Sequence, residues 1–270
     1  MERSVDLYMP VYNRPEFTRI ALETLREHST WSLVRRCVLL DNWSEEPTSA
    51  VLKEFATNTP RTSVRRVRGT TVSRVIRVGT RRERHRSAPY MVKTDNDFLL
   101  PPGWLDVAVA AMETNKHVDV LGLREPMDPS CGRWGDLWSL GTEGPRITVP
   151  TSNPGGIFIA RARSYHANSH RGARRQRGGA LYTKNSLSSV FATLQREGKI
   201  QLGLLDPPLC GVSIDRLVID SHPYPEAIGA YGVDRDEIAS LVNHYNDVGH
   251  CRRRLVGGKL VDTSKDEPAP

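Results

Sequence analysis

Residues 90–104 read Tyr-Met-Val-Lys-Thr-Asp-Asn-Asp-Phe-Leu-Leu-Pro-Pro-Gly-Trp, and they set the frame for the rest of the chain. The apolar run from Tyr90 is typical of a short buried strand, and the two prolines end it because proline has no N–H for a strand ladder. Asp95 and Asp97 therefore lie at the carboxyl end of a predicted strand, where ligands bind in open α/β sheets. Two acids one residue apart offer oxygen ligands to Mg2+ or Mn2+, which in turn binds a diphosphate. The alternative is a solvated turn, since Asp and Asn are common turn residues.

Length and composition indicate a globular protein. The chain has 270 residues, of which 38% are hydrophobic, and its mean hydropathy is −0.45. No apolar run approaches the roughly 20 residues that span a bilayer. The N-terminus lacks the apolar segment of a signal peptide, so we expect a cytoplasmic protein. The four cysteines have no C-x-x-C spacing, which favours free thiols over a zinc site or disulfides.

The positive charge is concentrated in two blocks. Residues 61–86 contain ten Arg and one Glu, and residues 161–177 contain six Arg and no acid, whereas the whole chain carries only +7. Such blocks indicate a polyanionic partner, because Arg and Lys contacts to phosphates supply most sequence-independent affinity for nucleic acid. The alternative is a solvated helix face for the first block and a loop for the second.

Alternating strand and helix patterns predict an α/β fold with a mostly parallel sheet and helices on both faces. Three parts are expected: a βα half at 1–124, a second half at 125–247 with a mobile basic loop at 161–180, and a partly disordered tail at 248–270. Predicted strands cover 5–9, 36–40, 63–67, 90–94, 118–121, 200–205 and 211–219. Predicted helices cover 15–28, 47–58, 71–85, 103–115, 186–197 and 234–246.

Three strand ends carry a family resemblance. The segment from Asp95 to Leu105 resembles the metal-binding segment of GT-A glycosyltransferases, particularly the family 2 (polysaccharide synthase-like) nucleotide-sugar transferases. Pro-Val-Tyr-Asn-Arg at 10–14 resembles their first nucleotide loop, and Asp-Asn-Trp-Ser at 41–44 resembles the acidic segment that contacts base or ribose. For this last segment the alternative is a helix N-cap by Ser44. Sugar-phosphate nucleotidylyltransferases are set aside, since 10–15 contains no glycine.

The resemblance implies a GT-A fold, a UDP-sugar donor and a Mn2+ or Mg2+ ion. Asp95 and Asp97 would bind the metal, with His222 as a third ligand; the alternative for His222 is plain hydrogen bonding. Residues 151–161 resemble the acceptor-side turn and strand of the family, in which Gly155 and Gly156 would let backbone approach the donor sugar. The implied donor contacts also include Pro10, Val11, Tyr12, Asn13, Arg14, Asp41, Asn42, Arg74, Arg77, Thr94, Asp95 and Asn96.

One departure from the family concerns the catalytic base. Inverting members carry an acid at the start of the helix after the acceptor strand, but residues 181–187 contain no carboxylate. Either Asp136 or another loop acid replaces it, or the enzyme is retaining and the departing phosphate takes the proton. Asp97, through its metal, remains the main catalytic candidate.

The basic blocks then suggest the acceptor. We expect a metal-dependent glycosyltransferase that modifies a 5-hydroxymethylpyrimidine in DNA, as bacteriophage enzymes do. DNA would be contacted by both basic segments, by Trp134 and Trp138, and by Arg161, Arg163, Arg171, Arg174, Arg175 and Arg177. The alternatives are a saccharide or lipid-linked acceptor, and a non-catalytic DNA-binding protein on the same fold.

Overall fold

The structure is a computed structural model, and it describes residues 3–69, 71–81, 86–100, 102–123, 146–148, 157–175, 187–206, 212–213, 236, 239–240, 253–256 and 259–262. Its strands are β1 (Val5–Val11), β2 (Val34–Asp41), β3 (Thr62–Arg66), β4 (Tyr90–Lys93), β5 (Phe98–Leu99), β6 (Val120–Leu123), β7 (Arg146–Thr148), β8 (Ile157–Arg161), β9 (Leu202–Asp206), β10 (Val212–Ser213), β11 (Arg253–Val256) and β12 (Lys259–Asp262). Its helices are α1 (Pro15–His28), α2 (Glu46–Asn58), α3 (Val72–Thr80), α4 (Trp104–Thr114), α5 (Ala162–Arg175) and α6 (Leu187–Arg196).

Eight strands form one mostly parallel sheet. Their order is β3-β2-β1-β4-β8-β6-β9-β7. The first four run parallel, β8 is antiparallel to both β4 and β6, and β7 is antiparallel to β9. The predicted class, an α/β protein with a mostly parallel sheet, is therefore confirmed.

The sheet separates two apolar cores, because successive strand residues point to opposite faces. Leu7 and Met9 of β1 pack with α1, α2 and α4, whereas Tyr8 packs with α3, α5 and α6. Helices thus cover both faces, as the sequence predicts.

Local sequence explains why the first helix begins at Pro15. Proline at the first helical position has its φ angle preset and loses no helical hydrogen bond. Phe17, Ala21, Leu22 and Leu25 follow helical spacing and are buried. The predicted bounds of this helix, 15–28, are the observed ones.

The predicted loop over 161–180 is wrong for residues 161–175, because Arg161 ends β8 and residues 162–175 form helix α5. Its buried residues Ala162, Tyr165 and His166 follow helical spacing, and Tyr165 packs against Phe158 and Phe191. Burial of this face outweighs the Arg-, Gly- and Ser-rich composition that suggested a loop.

The tail at 248–270, expected to be partly disordered, contains two strands. β11 and β12 pair as an antiparallel hairpin, with Leu255 opposite Leu260. The sequence between them is Gly-Gly, which is a favoured two-residue hairpin connection. Two other short strands were not predicted: β5, which pairs with β10, and β7, which lies within the Pro-, Gly- and Trp-rich segment 125–156.

Among the described residues, no helix combines the length and apolar character needed to cross a membrane.

Candidate donor and metal site

Three loops meet at one edge of the sheet. β2, β1 and β4 are parallel neighbours, so their carboxyl ends lie side by side at Asp41, Val11 and Lys93. The loops that follow them begin at Asn42, Tyr12 and Thr94. The sequence prediction that these strand ends form one site is consistent with this placement.

The loop after β1 is held in an unusual backbone conformation. Asn13 and Arg14 have φ angles of 50° and 60°, a left-handed region that ordinary residues rarely adopt. The Asn13 backbone N–H donates to Ser44 Oγ at 3.1 Å, and the Glu45 N–H donates to Asn13 Oδ1 at 2.9 Å. These bonds to the neighbouring loop fix the backbone that presents Tyr12 and Arg14.

The loop after β2 is organised by the Asp41 carboxylate, which is only 3% exposed. Oδ1 accepts the Ser44 N–H at 2.8 Å, Oδ2 accepts the Ser49 hydroxyl at 3.3 Å, and Arg66 Nε lies 3.6 Å from Oδ2. Asp41 is therefore engaged on both oxygens: Oδ1 by its own loop, and Oδ2 by Ser49 of α2 and Arg66 of β3. Its predicted contact with the donor would require an additional bond at the same carboxylate.

Ser44 is not the N-cap of the following helix. The N-cap of α2 is Glu45, which makes no side-chain capping bond, and the Ser44 hydroxyl instead accepts from Asn13. Asn42 closes the loop on its other side through a reciprocal pair with Gly69, donating to its carbonyl at 3.0 Å and accepting from its N–H at 2.8 Å.

Asp95 and Asp97 each face a cation of the chain itself. Lys93 Nζ lies 2.5 Å from Asp95 Oδ2, and Arg14 Nη1 lies 3.1 Å from Asp97 Oδ2. Burial raises the pKa of Asp95 above its ordinary value, Lys93 opposes this, and the neighbouring Asp97 carboxylate adds to it. Both acids keep about a fifth of their side-chain surface exposed, at 22% and 20%.

Asn96, between the two acids, connects their loop to the first loop and to α1 through side-chain hydrogen bonds. Its side-chain amide donates to Thr18 Oγ1 at 2.9 Å and to the Asn13 carbonyl at 3.3 Å. Thr94 is fully buried, and its backbone N–H donates to the Tyr8 carbonyl at 3.1 Å. The donor contacts predicted for Asn96 and Thr94 thus fall on residues that are committed to the scaffold.

Asp95 and Asp97 are the kind of ligands that Mg2+ and Mn2+ sites use. Such sites use one or two carboxylates, and substrate phosphates and water complete them. No cluster of three or more His, Cys, Asp or Glu that could hold a metal occurs among the described residues. Asp95 and Asp97 follow β4 at this edge, and they are carboxylates of the type such a site would use.

Comparison with known proteins now decides the family. The profile described as glycosyl transferase family 2 matches residues 6–171, more than half of the chain. The chain belongs to glycosyl transferase family 2. The predicted class, a glycosyltransferase that uses a nucleotide sugar, is the class that this family comprises. The match includes all three loops of the site.

The family 2 chain is also similar to two solved structures. The mannosyltransferase PcManGT from Pyrobaculum calidifontis, solved in complex with GDP-Man and Mn2+, aligns with a TM-score of 0.50 and 13% identity over 92% of this chain and 64% of that one. The present chain therefore spans less than two thirds of that protein. A mycobacterial protein aligns with a TM-score of 0.49 and 13% identity over 76% of this chain and 66% of its own. No curated protein sequence matches the chain.

Other predicted donor residues of this family 2 chain are spread over the same region. Pro10 and Val11 are buried in β1, whereas Tyr12 is 56% exposed. Arg74 is exposed near the start of α3, and Arg77 is half-buried one turn later. Tyr12 is thus the most accessible side chain of the first loop.

The first basic block is partly structural. Arg61 donates to the carbonyls of Trp31 and Val34, and Arg65 donates to the Gly79 carbonyl. The exposed arginines of this segment among the described residues also include Arg66, Arg68, Arg74, Arg81 and Arg86.

The second basic block begins with an inward-facing residue. Arg161 donates to the carbonyls of Met112, Asn115 and Val118, and it thereby satisfies carbonyls at and just after the carboxyl end of α4. This engagement argues against the predicted contact of Arg161 with DNA. Arg163 is exposed on α5, and Arg171, Arg174 and Arg175 lie in the same helix.

Several predicted site residues lie outside the described residues, and their roles stay predictions. They are Trp134, Asp136, Trp138, Gly155, Gly156, Arg177 and His222.

Sequence reasoning missed Lys93 and Trp43. Lys93 is a charged residue within the buried run that precedes the acids, and that position was the available signal. Trp43 is 57% exposed, and the Arg66 guanidinium lies 4.7 Å from its ring centroid. No pattern in the sequence distinguishes Trp43 from a buried tryptophan.

Proposed function

We propose that the chain transfers a sugar from a nucleotide sugar to a hydroxyl acceptor with a divalent cation. The observation that carries this proposal is the meeting of three hydrogen-bonded loops around Asp95 and Asp97 at the carboxyl edge of β1, β2 and β4. Family membership supports the same reaction class. An intact constellation of this kind favours catalysis over the alternative of a non-catalytic DNA-binding protein.

The chain's own residues would bind and orient the donor. Tyr12 presents an exposed ring on the loop after β1, and Arg14 presents a guanidinium suited to phosphate oxygens. Asn13, Ser44 and Asn96 hold these groups in a fixed geometry, which lowers the entropic cost of positioning a substrate. Asp95 and Asp97 would hold the metal, which when bound stabilises negative charge on the departing diphosphate.

A UDP-sugar is the proposed donor. The structurally similar mannosyltransferase is bound to GDP-Man, so a test of the donor includes both nucleotides. For the base, the proposal is that Asp136 takes the acceptor proton in an inverting reaction, or that the leaving phosphate does so in a retaining one. The anomeric configuration of the product decides between them.

A 5-hydroxymethylpyrimidine in DNA is the proposed acceptor. Exposed arginines support it, including Arg68 and Arg74 near the donor edge and Arg163 on α5. The proposed setting is the cytoplasm of a phage-infected cell, where DNA and nucleotide sugars are both present. The internal bonds of Arg61, Arg65 and Arg161 reduce the number of arginines that can contact phosphate, and this favours a saccharide or lipid-linked acceptor as second candidate.

The donor is tested by release of UDP or GDP from a panel of nucleotide sugars with Mn2+, with Mg2+ and with EDTA. We expect metal-dependent release, and a loss of roughly 100-fold or more in Asp97→Asn. Asp106→Asn is the matched control, since Asp106 is an exposed acid on α4 that bonds to Thr30. Release from no donor, or full activity in Asp97→Asn, contradicts the proposed reaction.

The acceptor is tested with matched duplexes that contain cytosine, hydroxymethylcytosine, thymine or hydroxymethyluracil. After incubation with donor and metal, the DNA is digested and its nucleosides are weighed by mass spectrometry. A sugar mass on a hydroxymethylated base alone supports DNA as acceptor. Transfer to a saccharide or lipid with no gain on any duplex rules DNA out but leaves glycosyl transfer intact.

A further inference from the structure

We propose that Lys93 and Arg14 are built-in counter-cations of Asp95 and Asp97, so that the site binds a metal–diphosphate complex much more tightly than a free divalent cation. This inference rests on the proposed function, because it concerns the same metal site. It gives Lys93 and Arg14 the role of balancing the charge of the two acids, and it couples metal binding to nucleotide binding.

Lys93 is held in place by its surroundings. It is the last residue of β4, it is only 4% exposed, and its register neighbours are Tyr8 on β1 and Phe158 on β8. An ammonium group removed from water is costly unless it is paired with an opposite charge. The 2.5 Å contact with Asp95 supplies that charge, so Lys93 cannot behave as a mobile surface lysine.

Arg14 is positioned by its backbone. Its left-handed φ angle of 60° places it directly before α1, and its guanidinium lies 6.0 Å from the ring centroid of Phe17 as well as 3.1 Å from Asp97. The hydrogen bonds of Asn13 to Ser44 and Glu45 fix the preceding residue in the same region. A positive charge at Asp97 is therefore a built-in feature of the loop.

The two carboxylates of Asp95 and Asp97 face the two cations of Lys93 and Arg14, so the charges of these four side chains cancel. A free divalent ion would therefore add positive charge to a neutral group of side chains. It would also displace two cations that the fold keeps nearby. A divalent ion that arrives on a diphosphate brings its own counter-charge. The phosphate oxygens also offer new partners to the displaced guanidinium. Metal and nucleotide are thus expected to bind cooperatively.

The test is a Mn2+ titration followed by electron paramagnetic resonance, with and without UDP and, in parallel, GDP. For the wild-type protein we expect free Mn2+ to bind at least tenfold more weakly than Mn2+ with the nucleotide. Lys93→Met removes the charge and keeps a similar length. It should tighten binding of free Mn2+ by about tenfold or more and so reduce the cooperativity. Lys93→Arg keeps the charge and should leave free Mn2+ binding weak.

The matched control is Lys53→Met, because Lys53 is 67% exposed and pairs with Glu46 on α2. It changes the net charge equally and should leave Mn2+ binding unchanged. If Lys93→Met does not fold, Arg14→Gln removes one positive charge beside Asp97 and should also tighten free Mn2+ binding.

Equal Mn2+ affinity in wild type and in the folded charge-removal variant overturns the inference, as does wild-type binding of free Mn2+ as tight as binding with nucleotide. Failure of the proposed function looks different, because neither nucleotide would bind with Mn2+ to any variant. The comparison of free Mn2+ binding between variants remains decisive in that case.

Discussion

Asn96 and Thr18 are joined by a 2.9 Å hydrogen bond between a side-chain amide and a hydroxyl, although 78 residues separate them. Asn96 stands between the two acids, and Thr18 lies in the first turn of α1. The same amide reaches the Asn13 carbonyl at 3.3 Å, and the Thr18 hydroxyl lies 3.3 Å from it as well. The bond therefore fixes the position of the acids relative to the first donor loop.

Asn96→Ala should weaken both the fold and donor binding. It removes two buried hydrogen bonds, which should lower the free energy of unfolding by about 1–3 kcal/mol in urea titrations. The acids should also lose their fixed position, so KM for the nucleotide sugar should rise more than kcat falls.

Asn115→Ala is the control for this variant. The Asn115 side-chain amide also donates a hydrogen bond, to the Ala111 carbonyl at 2.9 Å, but this bond lies at the end of α4 and does not involve the acids. It should cost stability without raising KM. A KM in Asn96→Ala equal to that of wild type would show that the Asn96 hydrogen bonds do not position the acids.

Apart from the two-residue strand β5, the order of strands and helices up to residue 123 could be predicted because the signals are local. Proline at 15 and the Pro-Pro-Gly sequence at 101–103 punctuate apolar runs of clear period, and helix α1 appears with its predicted bounds. Local signals failed at α5, where the composition suggested a loop and the burial of Tyr165 depends on β8 and α6.

The sequence predicts where the site lies but not which bonds hold it together. It shows that an acid ends β2 and that two acids follow β4. The partners of Asp41 are Ser44, Ser49 and Arg66, and Arg66 lies on another strand. The inward direction of Arg161 depends likewise on carbonyls at the end of α4. Such partners are set by the tertiary fold, which the spacing of residues does not encode.

The Cys37 thiol should be inert in the folded protein. It is fully buried, and burial raises its pKa to about 12, which the Thr62 hydroxyl only partly opposes. Because the thiolate is the reactive form, iodoacetamide at pH 9 should leave Cys37 unlabelled in native protein and label it in urea, as read by peptide mass spectrometry.

The same shift predicts how stability depends on pH. The folded-state pKa lies above the unfolded value of about 9.0, so the contribution of Cys37 is complete below pH 9 and is lost as pH rises toward 12. Urea unfolding between pH 8 and 10.5 should show a larger loss of stability in wild type than in Cys37→Ala. Parallel curves for the two proteins would contradict this assignment.

Asp6→Asn should be strongly destabilising. The Asp6 carboxylate is 1% exposed and accepts hydrogen bonds from Arg35, from Arg36 and from the Ala88 backbone N–H at 2.7–3.0 Å. The Asn side chain lacks the negative charge that the two guanidinium groups share and turns one acceptor oxygen into an NH2 donor, which should cost about 3 kcal/mol of unfolding free energy. Glu46→Gln is the control, since Glu46 is exposed, pairs with Lys53 and should cost less than about 1 kcal/mol. Equal losses in the two variants would refute the structural role of Asp6.

Gly79→Ala should destabilise the packing of α3 against the sheet. An added Cβ at this position would lie 2.5 Å from Leu40 Cδ2 and 2.7 Å from Cδ1, and Leu40 is fully buried in β2. The overlap outweighs the gain in helix propensity of about 1 kcal/mol, and we expect a net loss of about 1–3 kcal/mol of unfolding free energy in urea titrations.

Leu40→Ala alone should cost about 2–5 kcal/mol of unfolding free energy through the cavity it leaves. In the double variant the new methyl group enters that cavity, so the total loss should be smaller than the sum of the two single losses. Additive losses would mean that Gly79 and Leu40 are not in contact.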